Sequence, residues 1–218
     1  MTKNTITGVF KMEDVGELNP LLHVLEELRV DHTKNDEILF HSGGPIGKTS
    51  RFSMIPVLDD LRVVFRQPDD NTAPTDRNPL IGELDLRLTP PVLLEFQVRS
   101  GAGWTTTRNE SHVKLEAALQ SVSELEVLGS VDPSSGLSPG GFVGVLGYDL
   151  GQWTSQMRMK NTPEHNEVLG VLWRTKGWII HDRKESSITT LGHSPMSDEE
   201  VRLSVRGITE TMRFDAPS

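Results

Sequence analysis

The chain has 218 residues, a formal net charge of −9 and no cysteine, which excludes disulfides, thiolate metal sites and a cysteine nucleophile. The acidic balance argues against a nucleic-acid binder, which needs a clustered basic face, and 35% apolar with 24% charged residues is ordinary for a globular domain. No apolar run approaches the ~20 residues that span a bilayer, and MTKNTITGVFKMEDVGELN at the start lacks the basic flank and apolar block of a secretory signal, so a cytoplasmic protein with neither membrane nor nucleic-acid partners is expected.

In chain order, Asn19-Pro20 followed by Leu21, Leu22, Val24, Leu25 and Leu28 predicts a helix, with Asn19 as N-cap and Pro20 at the first helical position. Glu37–Ser42, Arg51–Ile55 and Leu61–Arg66 then read as short strands separated by Gly, Pro and Asp. The Asp-, Asn- and Pro-rich region from Gln67 to Pro91 reads as a long loop, and Val92–Val98 as a strand. A second helix is marked by Val113, Leu115, Leu119, Val122 and Leu125, with Asn109 or Ser111 as cap, and Val131–Gly141 is loop by composition.

After the Gly-rich stretch GGFVGVLGYDLG come two strands, Val168–Arg174 and Gly177–Asp182, joined by a Thr175-Lys176 turn, then a pairing strand SSITTLG. A closing amphipathic helix is predicted from a capping box, Ser197 with Glu200, and from Val201, Val205, Ile208 and Met212. Strands adjoin strands instead of alternating with helices, so the expectation is a single α+β domain over 1–218, mainly antiparallel sheet with packed helices.

The stretch EILFHSGGPIGKTSRFSMI (Glu37–Ile55) invites comparison with a phosphate-binding loop. That motif needs G-x-x-x-x-G-K-[ST] between a strand and a helix, because backbone amides and the helix N-terminus together hold the phosphates. Here Ser42 replaces the first glycine, and Ser50–Ile55 has strand period and ends at Pro56, so the segment reads as a β-hairpin loop whose Gly43, Gly44 and Gly47 permit the turn. Lys48 is then an exposed loop cation. The seven histidines form no H-x-x-x-H pair, Glu164 and His165 fall in a loop, and no G-x-S-x-G presents a nucleophile, so neither a metal nor a catalytic residue is assigned. Trp173 and Trp178, placed in strands, are expected in a core or interface.

Glycines at 140, 141, 144, 147 and 151 alternate with apolar residues, a density that fits a strand with a neighbouring backbone pressed against it. GGFVGVLGYDLG (Gly140–Gly151) resembles the Gly-rich strand in the N-terminal half of the chorismate-utilising enzymes, anthranilate synthase component I and aminodeoxychorismate synthase component I. LFHSG (Leu39–Gly43) with SRFS (Ser50–Ser53) is similar to a motif pair of the aminodeoxychorismate enzyme, and His41 together with Leu150-Gly151 favours that branch over the anthranilate one.

The resemblance covers nearly the whole chain but only the family's first half. It implies half of a two-sheet α/β sandwich and part of a tryptophan pocket, lined here by Ser42, Thr49, Ser50, Arg51 and Phe52. For Arg51 an ion pair within the chain is the competing reading. The Mg²⁺ ligands, chorismate-binding residues and catalytic lysine of the family belong to its C-terminal half, to which nothing in these residues corresponds, so no cofactor is expected in this chain. The implied partners are that half or subunit, a glutamine amidotransferase subunit and L-tryptophan. The implied setting is chorismate amination to 4-amino-4-deoxychorismate on the folate and p-aminobenzoate route. The alternatives are a stand-alone amino-acid-binding regulatory module or the N-terminal part of anthranilate synthase component I. The apolar face that meets the other half is expected to favour self-association or a partner.

Overall fold

Long runs of β-branched and aromatic residues make this mainly an antiparallel sheet protein with few helices, an α+β fold, seen in a computed structural model. The structure describes residues 6–11, 20–22, 24–26, 38–47, 50–67, 91–101, 103–126, 131, 136–154 and 166–192. The strands are β1 (Ile6–Lys11), β2 (Phe52–Arg66), β3 (Val92–Ser100), β4 (Gly103–His112), β5 (Gly141–Leu146), β6 (Val168–Asp182) and β7 (Ser187–Gly192). A helix covers Leu115–Ser123 and a 3₁₀ helix covers Tyr148–Trp153.

The chain divides into two compact units, one made of Met1–Leu58, Val127–Gly141 and Thr175–Ser218, the other of Asp59–Glu126 and Phe142–Arg174. In the first, the strand order is β1, β7, β6, β2, with β6 and β7 antiparallel from Gly177↔Gly192 to Asp182↔Ser187. Residues 21–22 and 24–26 are helical behind Pro20, and Leu21 and Val24 pack with Ile55, Val57, Ile179 and Ile188 into a buried cluster.

In the second unit, β2, β3 and β4 form an antiparallel meander and β5 pairs with β6. Period 2 puts Val63 and Phe65 on one face of β2, where Phe96 and Leu94 stand opposite them. The helix turns Leu115, Ala118 and Val122 onto the same cluster, joined by Val92, Leu150, Trp153 and Leu169.

Gly144 carries the closest backbone approach in this unit. A Cβ placed there would lie 1.9 Å from the Val171 carbonyl oxygen and 2.9 Å from the Leu172 Cα. The first half of the glycine-dense stretch, Gly141–Leu146, is therefore a strand with another backbone pressed on it, whereas Tyr148–Gly151 leaves the strand for the 3₁₀ helix.

Several elements differ from the sequence reading. Arg51–Ile55 and Leu61–Arg66 are parts of one 15-residue strand, because Pro56 is buried within it and the Asp59 carboxylate accepts from Arg174 Nε at 2.9 Å, so neither residue has to end it. The Thr175-Lys176 turn is likewise absent: β6 runs through it, with Thr175 buried and its hydroxyl donating to Gly141 O at 3.3 Å. Asn109 and Ser111 lie in β4, and the helix starts behind Lys114 with no side-chain cap. Trp178 is 7% exposed, as its strand position implied. Asn19, Leu28, the loop at 68–90, Glu164, His165 and the closing helix with Ser197, Glu200, Val201, Val205, Ile208 and Met212 lie outside the described residues. No helix among the described residues is long and apolar enough to cross a membrane.

Candidate functional site

The sequence places Ser42 and Ser50–Phe52 on two sides of a Gly-rich loop, and local pairing brings them together. Phe40 and Met54 form an antiparallel bridge, with Phe40 N–H donating to Met54 O at 2.9 Å and Met54 N–H to Phe40 O at 2.8 Å. Gly44 adopts φ +76°, which an L side chain rarely tolerates. The loop then runs into β2, so the helix N-terminus that a phosphate cradle requires does not follow it. Lys48 and Thr49 lie outside the described residues.

Each remaining site residue has a defined set of contacts. The Ser42 hydroxyl donates to Phe52 O, and its backbone N–H donates to Ser53 Oγ at 3.2 Å. The Ser50 hydroxyl donates to Pro45 O across the loop. Both protons are thus engaged, while the oxygens keep lone pairs suited to an ammonium donor and unsuited to a carboxylate. Arg51 Nε donates to Asp182 Oδ1 at 2.9 Å and Oδ2 at 3.0 Å, and its Nη2 pairs with the same carboxylate. The guanidinium carbon also lies 4.8 Å from the Phe52 ring centroid. Of the two readings of Arg51, the geometry shows the ion pair.

Sequence spacing missed two residues that hold this loop. Arg183 donates from Nη1 to Ser50 O at 2.9 Å and from Nη2 to Gly44 O at 2.8 Å, and its N–H binds Arg51 O at 3.0 Å. Asp182 answers Arg51 and also accepts the Lys184 and Glu185 N–H groups at 3.0 and 3.3 Å, closing the β6–β7 turn. The only signal for either is polar residues ending a strand, which does not say what they meet. An aromatic edge adjoins the loop: Phe40 and Trp178 have ring centroids 6.4 Å apart, and Trp178 Nε1 donates to Ser138 O at 2.8 Å.

No protein-family model and no curated protein matches the chain. Among the described residues, no group of three or more His, Cys, Asp or Glu side chains is arranged to hold a metal ion.

Two groups beside the loop give acid sensitivity in different pH windows. Burial pushes the His181 imidazole well toward its neutral form, with Arg183 adding to the effect, and its Nδ1 is buried without a hydrogen-bond partner. Burial raises the Asp182 carboxyl, but the Arg51 hydrogen bonds and the two turn amides outweigh it and hold it below the usual carboxylate range.

In both cases the folded state prefers the deprotonated form, so stability is lost as pH falls. For His181 the loss starts below the unfolded histidine value of about 6.5, and for Asp182 below about 3.9. Urea melts between pH 8 and 3 are expected to show both losses. His181→Leu should flatten the upper one and Asp182→Asn the lower one. At pH 7, Asp182→Asn is expected to cost about 1–2 kcal/mol, a modest figure because solvent reaches the pair.

Proposed function

We propose that this chain is a non-catalytic domain of the type that forms the N-terminal half of aminodeoxychorismate synthase component I. It would support a chorismate-binding half and hold a small amino acid, L-tryptophan, at the base of the 41–50 hairpin. One observation carries the reading. The stretches LFHSG and SRFS, which carry the resemblance and are separated in sequence, are brought together beside the Phe40–Met54 bridge, with the Ser42 hydroxyl donating to the Phe52 carbonyl and the Arg51 guanidinium over the Phe52 ring.

The chemistry of the loop fits an amino-acid head. Ser42 Oγ and Ser50 Oγ offer acceptor lone pairs for an ammonium, and Phe40 and Phe52 offer apolar surface for an indole. The backbone approaches at Gly144 and Gly147 support the reading in a second way, since they explain why two of the glycines in GGFVGVLGYDLG cannot carry a side chain.

In the whole enzyme, chorismate, ammonia released from glutamine by an amidotransferase partner and Mg²⁺ would yield 4-amino-4-deoxychorismate. The metal and the chemistry would reside in the other half. Purified chain with chorismate, ammonia and Mg²⁺ is expected to give no aminated product, and turnover would overturn the non-catalytic assignment. Titration calorimetry with L-tryptophan is expected to show one site, weakened about tenfold by Ser42→Ala. A flat titration of the wild-type chain removes the amino-acid site and leaves the supporting role to stand on the turnover result.

A further inference from the structure

β4 is the last strand of its sheet, and among the described residues no strand pairs with its outer edge. It is 10 residues long, contains no proline, and is exposed from Thr105 through Asn109. Such an edge presents a row of backbone donors and acceptors to any strand that meets it. The register shift between Phe96 and Gln97 leaves Thr107 as an extra residue on β4, with its hydroxyl donating to Phe96 O at 3.1 Å. That bulge interrupts the strand on its N-terminal side. Beyond it, Arg108 to His112 follow β3 without a break.

The charges on this segment are not arranged as a simple deterrent. Arg108 and Glu110 project from the same face, with Arg108 Nη2 2.9 Å from Glu110 Oε1, and His112 Nε2 lies 3.0 Å from Glu110 Oε2. The Ser121 hydroxyl donates to the same carboxylate, so Glu110 is fixed from the helix side as well.

An antiparallel pair of two such strands about a two-fold axis at Asn109 sets Arg108 opposite the other copy's Glu110, and Glu110 opposite the other copy's Arg108. A symmetric contact of this kind uses the same patch twice. Moving the axis by one residue to Arg108 or to Glu110 sets like charges directly opposite, which is unfavourable. The charges therefore select one register from its neighbours.

We propose that the β4 edge is a self-association surface, and that two copies of this chain pair antiparallel with Asn109 on the two-fold axis, through Arg108–Glu110, the part of the edge beyond the Thr107 bulge that is symmetric about that axis. The contact is polar and narrow, so the dimer is concentration-dependent and weakened by salt.

Sedimentation velocity on the full chain tests this. A species of twice the 24.2 kDa chain mass is expected at high protein concentration, with its dissociation constant raised at least tenfold in 1 M salt. Arg108→Glu sets two acidic pairs across the axis and should leave a monomer, while Arg108→Glu combined with Glu110→Arg restores the opposition and should restore the dimer. Asn109→Asp, at an exposed position on the axis, should weaken association without disturbing the fold as followed by circular dichroism. A wild-type chain that stays monomeric at every concentration overturns the proposal. So does a dimer unchanged by both Arg108→Glu and Asn109→Asp.

Discussion

Replacing Gly144 by alanine is expected to destabilise the protein by about 3 kcal/mol or more, among the largest effects of any single methyl group in this chain. The added Cβ would meet the Val171 carbonyl oxygen at 1.9 Å and the Leu172 Cα at 2.9 Å, both of them backbone atoms that cannot rotate away. The strand pair must then separate, which takes β5 from β6 and disturbs the Gly147 N–H bond to Leu169 O at 2.7 Å. Urea unfolding of the variant would show a midpoint far below wild type, and a midpoint within 0.2 M of wild type would show that the two backbones are not pressed together as described. Gly151, which has open space around its Cβ position, is the control: alanine there meets no neighbouring atom.

Phe65→Ala is expected to cost about 3–5 kcal/mol, the range for removing a buried aromatic ring. Phe65 is fully buried, pairs across the sheet with Leu94, and belongs to the cluster of Val63, Phe96, Leu115 and Leu169. Val63 and Leu94 on either side are strand residues that cannot close in to fill the space, so the cavity term adds to the lost transfer free energy. Phe65→Leu should recover much of the loss, because it refills most of the volume with apolar atoms. The comparison separates a packing role from a particular need for an aromatic ring.

How far the sequence foretells the molecule depends on whether a residue's partner is near it. The sheet-rich α+β class was legible because strand-like runs at 61–66, 92–98, 168–174 and 177–182 follow one another with few helical runs between them. The turn around Gly43 and Gly44 was legible in part: the Phe40–Met54 bridge brings its two sides together, but of the strand expected over Glu37–Ser42 the described residues show that single bridge alone.

β4 was not legible. Its residues Thr105 to Asn109 are all exposed, so no apolar alternation marks a face. β2 and β6 were each read as two pieces because Pro56 and Asp59 look like punctuation and Thr175-Lys176 like a turn, whereas the Arg174 partner of Asp59 and the bond from the Thr175 hydroxyl to Gly141 O go with unbroken strands. At the loop, the sequence brought out Ser42, Ser50, Arg51 and Phe52 but not what they touch. Asp182, 131 residues beyond Arg51, carries no mark of that pairing in its own neighbourhood.

The same separation has a consequence for how the molecule is made. The loop at 44–50 is tied by Arg183 to Gly44 O, 139 residues away, and to Ser50 O, 133 residues away. Closing so long a chain segment costs entropy before any contact rewards it, and folds rich in such contacts form slowly. During synthesis at roughly 5–20 residues per second, the hairpin therefore waits on the order of ten seconds for its clamp to leave the ribosome. Until then the local Ser42 and Ser50 bonds can form, but Arg51 lacks its Asp182 partner and the loop its Arg183 clamp, so the segment reaches its final geometry only after the β6–β7 turn has been translated.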